Sequence, residues 1–290
     1  MMRRLLSGLT GLLAVLLLPV ALVGLWANQT LTRTDAFVEA LAPVVRQPAV
    51  QQALVDEAAR AVFDATGLPP AAQRLTEPTL RAETARLVAS PAVVTVWSSA
   101  VRVAHTEVIA ILKGEADTGV NARGQVVLNL RIPVPPLTAV LEQAGVPDAG
   151  RLAPTVAIPL VSVEQLDRTQ LAYRWLTMAW PWLFVGVVVL ALLAVALARR
   201  RRAATGALAI GWIVVSAALA LVVAAAREPL VNDVAHPVAR AVVDAAYGVA
   251  AAGITAEVWV AVGVSVALLV VVVVGRLVAG PAGSSRPAHG

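Results

Sequence analysis

Four long apolar runs dominate the pattern of hydrophobic and polar positions. No Asp, Glu, Lys, Arg or His interrupts any of them. A helix needs about 20 mostly apolar residues to cross a hydrocarbon core of about 30 Å. We therefore predict four transmembrane helices, at 5–26, 178–198, 203–226 and 258–274.

The first run follows Arg3 and Arg4, an arrangement that secretory signals share. At the end of the run, the stretch Gly24-Leu25-Trp26-Ala27 lacks the small-x-small pattern of a cleavage site. We interpret the run as an uncleaved anchor, with a removed signal peptide as the alternative. Both interpretations send the segment that follows out of the cytoplasm.

Arginines give the spans their predicted direction. Arg199–Arg202 separate the second and third runs, and basic loops resist translocation. All 18 acidic residues fall outside the segments that we assign to the cytoplasm. Those cytoplasmic segments are 1–4, 199–202 and 275–290, the last of them a disordered tail. The extracytoplasmic segments are 27–177 and 227–257. Four tryptophans mark the outer ends of the spans: Trp26, Trp180, Trp182 and Trp259.

Helical spacing fills most of the outer segments, and prolines mark where helices begin. We place helix starts at Gln47-Pro48, Ser90-Pro91 and His236-Pro237, since proline suits the first helical position. We predict N-caps at Thr34 and Thr76, and helix ends at Gly67 and at Lys113-Gly114. Further predictions are a short helix after Pro237 with an Arg240–Asp244 contact, and a helix from Val163 running into the second span.

Strict alternation predicts two strands. Gln125–Ile132 alternates apolar and polar residues after a turn at 121–124, and Thr155–Leu160 is a second strand that Pro159 restricts to a sheet edge. A helix over 136–143 lies between them. The expected fold class is a membrane protein with four transmembrane helices and a mostly helical α+β extracytoplasmic domain that contains a small sheet.

Composition excludes several mechanisms. Mean hydropathy is +0.78 and charged residues are 14%, against roughly 25% in soluble domains. The absence of cysteine excludes disulfides, thiolate catalysis and Cys-based zinc sites. The pI of 10.8 is compatible with nucleic-acid binding, but the placement of the arginines beside spans argues against such a partner.

Candidate chemistry is sparse. We interpret His105 as a satisfied, half-buried histidine because it lies near the apolar stripe that contains Val101 and Val108. Glu107, two positions away, faces elsewhere on a helix and cannot chelate a metal together with it. The acidic pairs Asp56-Glu57 and Glu115/Asp117 lack further metal ligands. Ser98 has no nearby base in the sequence. We assign no catalytic, cofactor or metal residue.

The spans also contain no ionisable residue at depth, which argues against ion-coupled transport. Their only notable polar residues are serines, of which Ser216 and Ser265 are examples. Two small-xxx-small pairs, Ala207/Gly211 and Gly263/Ala267, are suited to close helix contacts.

Several short motifs resemble a group of uncharacterised actinobacterial multi-pass membrane proteins with a large extracytoplasmic domain after the first span. The resemblance covers most of the chain and implies a cell-envelope setting without an assigned activity. Its motifs are Trp26, 34–38, Ala42-Pro43, 47–51, the strand at 124–130 and Arg199–Arg202.

The leading functional hypothesis is a non-enzymatic envelope protein whose outer domain binds a partner, either a protein or a wall component. The bilayer lipid is the other expected partner. One alternative is an accessory or regulatory subunit of a membrane transport system. The other is an envelope hydrolase assembled from distant residues such as Ser98, His105 and a carboxylate.

Overall fold

The computed structural model describes residues 2–67, 69–115, 119–120, 125–131 and 155–278, and between 119 and 165 it describes the backbone alone. The predicted turn at 121–124, the helix over 136–143 and the tail after 278 lie outside the described residues.

Helices account for most of the described chain. In chain order they are α1 (Met2–Leu31), α2 (Thr34–Leu41), a 3-10 helix (Ala42–Arg46), α3 (Pro48–Thr66), α4 (Pro70–Val88), α5 (Pro91–Lys113), α6 (Val163–Leu197), α7 (Arg201–Ala225), α8 (Arg227–Asn232) and α9 (Pro237–Val278). Three strands precede α6: β1 (Gly119–Val120), β2 (Gln125–Arg131) and β3 (Thr155–Ser162).

Prolines and glycines set the helix ends where the sequence predicted them. Helices α3, α5 and α9 begin at Pro48, Pro91 and Pro237. Helices α3 and α5 end at Gly67 and Gly114, whose φ angles of 58° and 76° favour glycine.

The two predicted threonine caps are wrong. Helix α2 begins at Thr34, but its N-cap is Arg33, and the Thr34 hydroxyl binds elsewhere. Thr76 lies inside α4 and donates to the Ala72 carbonyl oxygen at 2.9 Å. A threonine hydroxyl inside a helix can donate to a carbonyl oxygen of the preceding turn, so threonine does not always mark a helix start.

Among the described residues, four helices are long and apolar enough to cross a membrane, which confirms the four predicted spans at the level of helix length and composition. They cover Met2–Leu31, Leu166–Leu197, Arg201–Asn232 and Pro237–Leu277, and the bent pair α4–α5 would be a fifth if it were counted as one broken span. The chain is a multi-pass membrane protein. Helix α6 is continuous from Val163 into the second span, as predicted.

Contact density divides the chain into two units. The membrane unit comprises Met1–Leu25, Trp180–Ala225 and Gly253–Gly290. The charged unit comprises Trp26–Ala179 and Ala226–Ala252, and it contains every acidic residue except Glu257.

One cluster of helix contacts in the membrane unit consists mostly of small residues. Ala14 of α1 packs with Ala191 and Ala194 of α6 and with Leu208 of α7. Because lipid tails are as apolar as leucine, close packing of small residues is what holds such helices together. Both predicted span serines, Ser216 and Ser265, are buried.

Gly211 gives the closest approach between α7 and α1. A Cβ atom at this position would lie 2.7 Å from Cγ2 of Val15. Gly211 of the predicted pair Ala207/Gly211 therefore does lie at a close helix contact. Gly263 of the second predicted pair does not, because no described atom lies within 4 Å of a Cβ built there.

The expected α+β class of the extracytoplasmic domain is wrong. Of the residues whose side chains the structure places, 92% are helical and none lies in a strand or sheet. The core of the charged unit consists of Val44, Val50 and Ala245, which come from the 3-10 helix, α3 and α9. Apolar stripes of helices, rather than a sheet face, thus supply the described core.

Three short segments pair as strands in the backbone alone. Their order is β1-β2-β3, with both pairings antiparallel, so β3, which contains Pro159, is an edge strand. The alternating pattern predicted β2 and β3 but not β1. None of the three strands has a side chain that the structure places in the core, so the α+β class stays wrong.

Gly211→Ala should destabilise the membrane unit, because the β-branched Val15 has little freedom to move away. Overpacking of this kind costs about 1–3 kcal/mol. The matched control is Gly206→Ala on the same helix, where a Cβ meets nothing within 4 Å. Thermal unfolding of the full chain in mild detergent measures both variants. Equal melting temperatures would contradict the predicted contact.

Candidate binding site

An apolar pocket of about 360 Å³ lies within the charged unit. Its walls are the end of α1, the length of α2, one residue of α8 and one face of α9. The lining residues are Trp26, Thr30, Leu31, Phe37, Ala40, Leu41, Leu230, Val243, Ala246, Tyr247, Val249 and Ala250.

His105 of α5 fixes the wall where α1 ends and α2 begins. Its Nε2 lies 3.0 Å from the Leu31 carbonyl oxygen, and its Nδ1 lies 3.1 Å from the Thr34 hydroxyl. A carbonyl oxygen only accepts, so Nε2 carries the proton and Nδ1 accepts from Thr34. The imidazole also stacks on Phe37, with 4.2 Å between ring centroids. Leu31 and Phe37 both line the pocket, so one side chain positions two lining residues.

Trp97 fixes the other end of α2. Its indole Nε1 donates to the Leu41 carbonyl oxygen at 2.9 Å, and its ring packs against the core of the charged unit. Since Trp97 and His105 both belong to α5, this helix holds α2 at both ends. Helix α5 therefore braces the α2 wall of the pocket through these hydrogen bonds.

A two-pronged ion pair joins α8 to α9. Arg227 donates to both carboxylate oxygens of Asp244, at 2.8 and 2.9 Å. The predicted contact between Arg240 and Asp244 is wrong, because Arg240 instead donates to the Val234 carbonyl oxygen at 2.9 Å. The pair holds Leu230 and Val243 on adjoining walls of the pocket.

The predicted acidic pair Asp56-Glu57 is engaged by arginines. Arg81 of α4 bonds to Asp56 and to Glu77, and these carboxylates raise the pKa of Arg81. Glu57 bonds to Arg60 at 2.6 Å. No group of three potential metal ligands occurs among the described residues. Glu115 is described, but the backbone of Asp117 is not, so their pairing lies outside the described residues.

Ser98 and His105 do not form a catalytic pair. They lie on the same helix, seven positions apart, which is about 10.5 Å along the axis. Both ring nitrogens of His105 have partners, which confirms the interpretation of a satisfied histidine, but the side chain is 6% exposed and therefore buried rather than half-buried.

Sequence reasoning missed the pocket because it separated a short helix after Pro237 from the fourth span. The structure shows one helix over Pro237–Val278. The signal was present: Val243, Ala246, Tyr247 and Ala250 recur at spacings of three, four and seven, and all of them line the pocket.

His105→Phe should keep the stacking on Phe37 and lose both hydrogen bonds. The Leu31 carbonyl and the Thr34 hydroxyl are only partly buried, so we expect a cost of about 0.5–1.5 kcal/mol for each lost hydrogen bond. Thr106→Ala on the exposed side of α5 is the control. Chemical denaturation, followed by the intrinsic tryptophan fluorescence of the chain, measures the loss. Equal stability of the two variants would contradict the bracing role.

The chain matches no protein-family model, no curated protein and no solved structure. The resemblance to actinobacterial membrane proteins therefore stays a prediction, and the geometry of the described residues carries the functional interpretation.

Proposed function

We propose that this protein is a non-enzymatic, multi-pass protein of the cell envelope whose charged unit holds an apolar ligand on the extracytoplasmic side. The observation that carries the proposal is the braced apolar pocket of about 360 Å³.

The size and lining of the pocket support ligand binding. Ligand sites in proteins typically measure about 300–1,000 Å³ and combine apolar walls with few polar groups. In this pocket Trp26, Thr30 and Tyr247 are the lining residues with a polar side-chain group. A wall held by hydrogen bonds from His105 and Trp97 is preorganised, so binding costs little ordering entropy.

The chemistry around the pocket favours binding over catalysis. Asp244 at its edge is occupied by Arg227, and His105 behind its wall is occupied by Leu31 and Thr34. Acid–base catalysis needs a group that can exchange a proton with the ligand. The pocket lining itself contains no carboxylate, imidazole or amine.

Charge distribution supports an extracytoplasmic location for the charged unit. Arg199 and Arg200 are exposed between α6 and α7, and loops of this kind remain in the cytoplasm. The acidic residues, apart from Glu257, belong to the charged unit, whose chain segments follow the first and third spans.

Because the chain has no cysteine, single-cysteine variants report location directly. Leu75 of α4 is 82% exposed, and Leu75→Cys should react with a membrane-impermeant maleimide on intact cells. Arg200→Cys, also at an exposed position, should react only after permeabilisation. The reverse pattern would place the charged unit in the cytoplasm and end the proposal as stated.

Ligand occupancy should protect a cysteine in the pocket wall. Ala246→Cys lies in the lining, while Ala252→Cys lies at an exposed position on the same helix. The maleimide rate at 246 should fall when ligand is present, by about tenfold at a ligand concentration ten times its Kd. The comparison is protein freshly extracted from membranes against protein stripped by extended detergent washing.

The rate at 252 should be the same in both preparations. A rate at 246 that does not change on stripping would mean that the pocket holds no ligand, and the proposed function would fail.

A further inference from the structure

We infer that the ligand is one acyl chain of a membrane phospholipid. This inference rests on the proposed function and names the chemistry of its ligand.

The first argument is that helix α1 is longer than a bilayer is thick. Its charge-free stretch runs from residue 5 to Leu31, about 40 Å at 1.5 Å per residue. A hydrocarbon core takes about 30 Å. Counted from Arg4, roughly the last seven residues extend beyond that thickness, and Trp26, Thr30 and Leu31 of the pocket lie among them.

Helix α9, counted from its C-terminal end, is also longer than a bilayer is thick. Its charge-free stretch between Arg276 and Glu257 covers about 27 Å, close to the thickness of the core. The pocket residues of α9, which fall within 243–250, lie about 10–21 Å beyond Glu257 along the helix axis.

Two pocket walls thus belong to helices that are long and apolar enough to cross a membrane, Met2–Leu31 and Pro237–Leu277, and lie on the parts of those helices in excess of the bilayer thickness. An apolar surface on such a part of a helix is reached most directly by the lipid that surrounds the span. Bilayer phospholipid is also the apolar molecule at the highest local concentration beside a transmembrane helix.

The volume of the pocket suits an acyl chain. An apolar cavity of about 150 Å³ accepts benzene, so 360 Å³ has room for on the order of a dozen carbon atoms. The pocket volume therefore matches a narrow chain of that length.

The lining also argues against a polar ligand. A buried hydroxyl or amide needs a hydrogen-bonding partner, and its burial without one costs about 1–3 kcal/mol in proteins. A methylene chain makes no such demand, and apart from Trp26, Thr30 and Tyr247 the lining side chains are leucine, valine, alanine and phenylalanine.

The test is photocrosslinking of the full chain in phosphatidylcholine vesicles that contain a minor fraction of phosphatidylcholine with a diazirine at the end of one acyl chain. Mass spectrometry of the digested protein locates the adducts. We expect adducts within 26–41 and 243–250, together with adducts in the lipid-facing part of the fourth span.

Ala246→Trp fills the pocket and should abolish the adducts within 26–41 and 243–250 while leaving those in the span. Ala252→Trp, at an exposed position of the same helix, should retain both sets. Should Ala246→Trp fail to fold, Val243→Asp takes its place: Val243 lines the pocket yet is 36% exposed, and a charge there repels an acyl chain.

Unchanged pocket adducts in the filled or charged variant would overturn the inference, as would a wild-type chain labelled in its spans alone. If the wild-type pocket carries no lipid adduct while Ala246→Cys is still protected before stripping, the acyl-chain inference fails and the proposed function stands. If protection is absent as well, both fail.

Discussion

The constraint on which this structure depends is the need of a polypeptide backbone to satisfy its own hydrogen bonds inside a lipid bilayer. That need makes every span a continuous helix. In this chain three of the span helices do not stop where a bilayer would end. Helix α1 runs to Leu31, α6 begins at Val163, and α9 begins at Pro237. The backbone of each span is thereby extended into the charged unit, and two of these extensions form pocket walls.

A helix extension becomes a binding wall only when it is held in place. The interruption between α1 and α2 is short, and the polar groups that it exposes are the Leu31 carbonyl and the Thr34 hydroxyl. His105 satisfies both from α5, and Trp97 satisfies the Leu41 carbonyl at the far end of α2. Buried hydrogen bonds of this kind matter less for their net gain than for the penalty paid when one partner is removed. The same contacts therefore stabilise the charged unit and shape its pocket.

Sequence patterns predicted where the helices begin and end better than they predicted how the helices pack together. Proline at a helix start and glycine in a left-handed cap are local requirements, which is why Pro48, Pro91, Gly67 and Gly114 could be interpreted from the sequence alone. Thr76 misled because its hydroxyl is satisfied within α4. The α+β class failed for a related reason: alternation over 125–131 is a local signal, whereas the described core depends on which helix stripes meet.

Charge pairs were harder still to predict. Spacing of four residues favours contact between Arg240 and Asp244, but Arg227, seventeen positions from Asp244, binds that carboxylate with two hydrogen bonds. The folded path of α8 brings it there, and no helical period encodes such a contact. The pocket had a usable signal in the apolar spacing along 243–250, and only the unbroken course of α9 relates that face to the fourth span.

The energetics of an acyl chain in this pocket indicate what the protein would do with it. Moving about a dozen methylene-sized groups from water into an apolar site gains on the order of 10 kcal/mol, at about 0.8 kcal/mol for each group. A chain that comes from a bilayer has already made that gain, so its transfer into the pocket exchanges one apolar environment for another. The net free energy is then set by smaller terms: the packing against Phe37 and Leu41, and the ordering of the chain. In the proposed site, the protein would therefore exchange its chain with the bilayer, and the sign of these smaller terms decides how much of the pocket is filled.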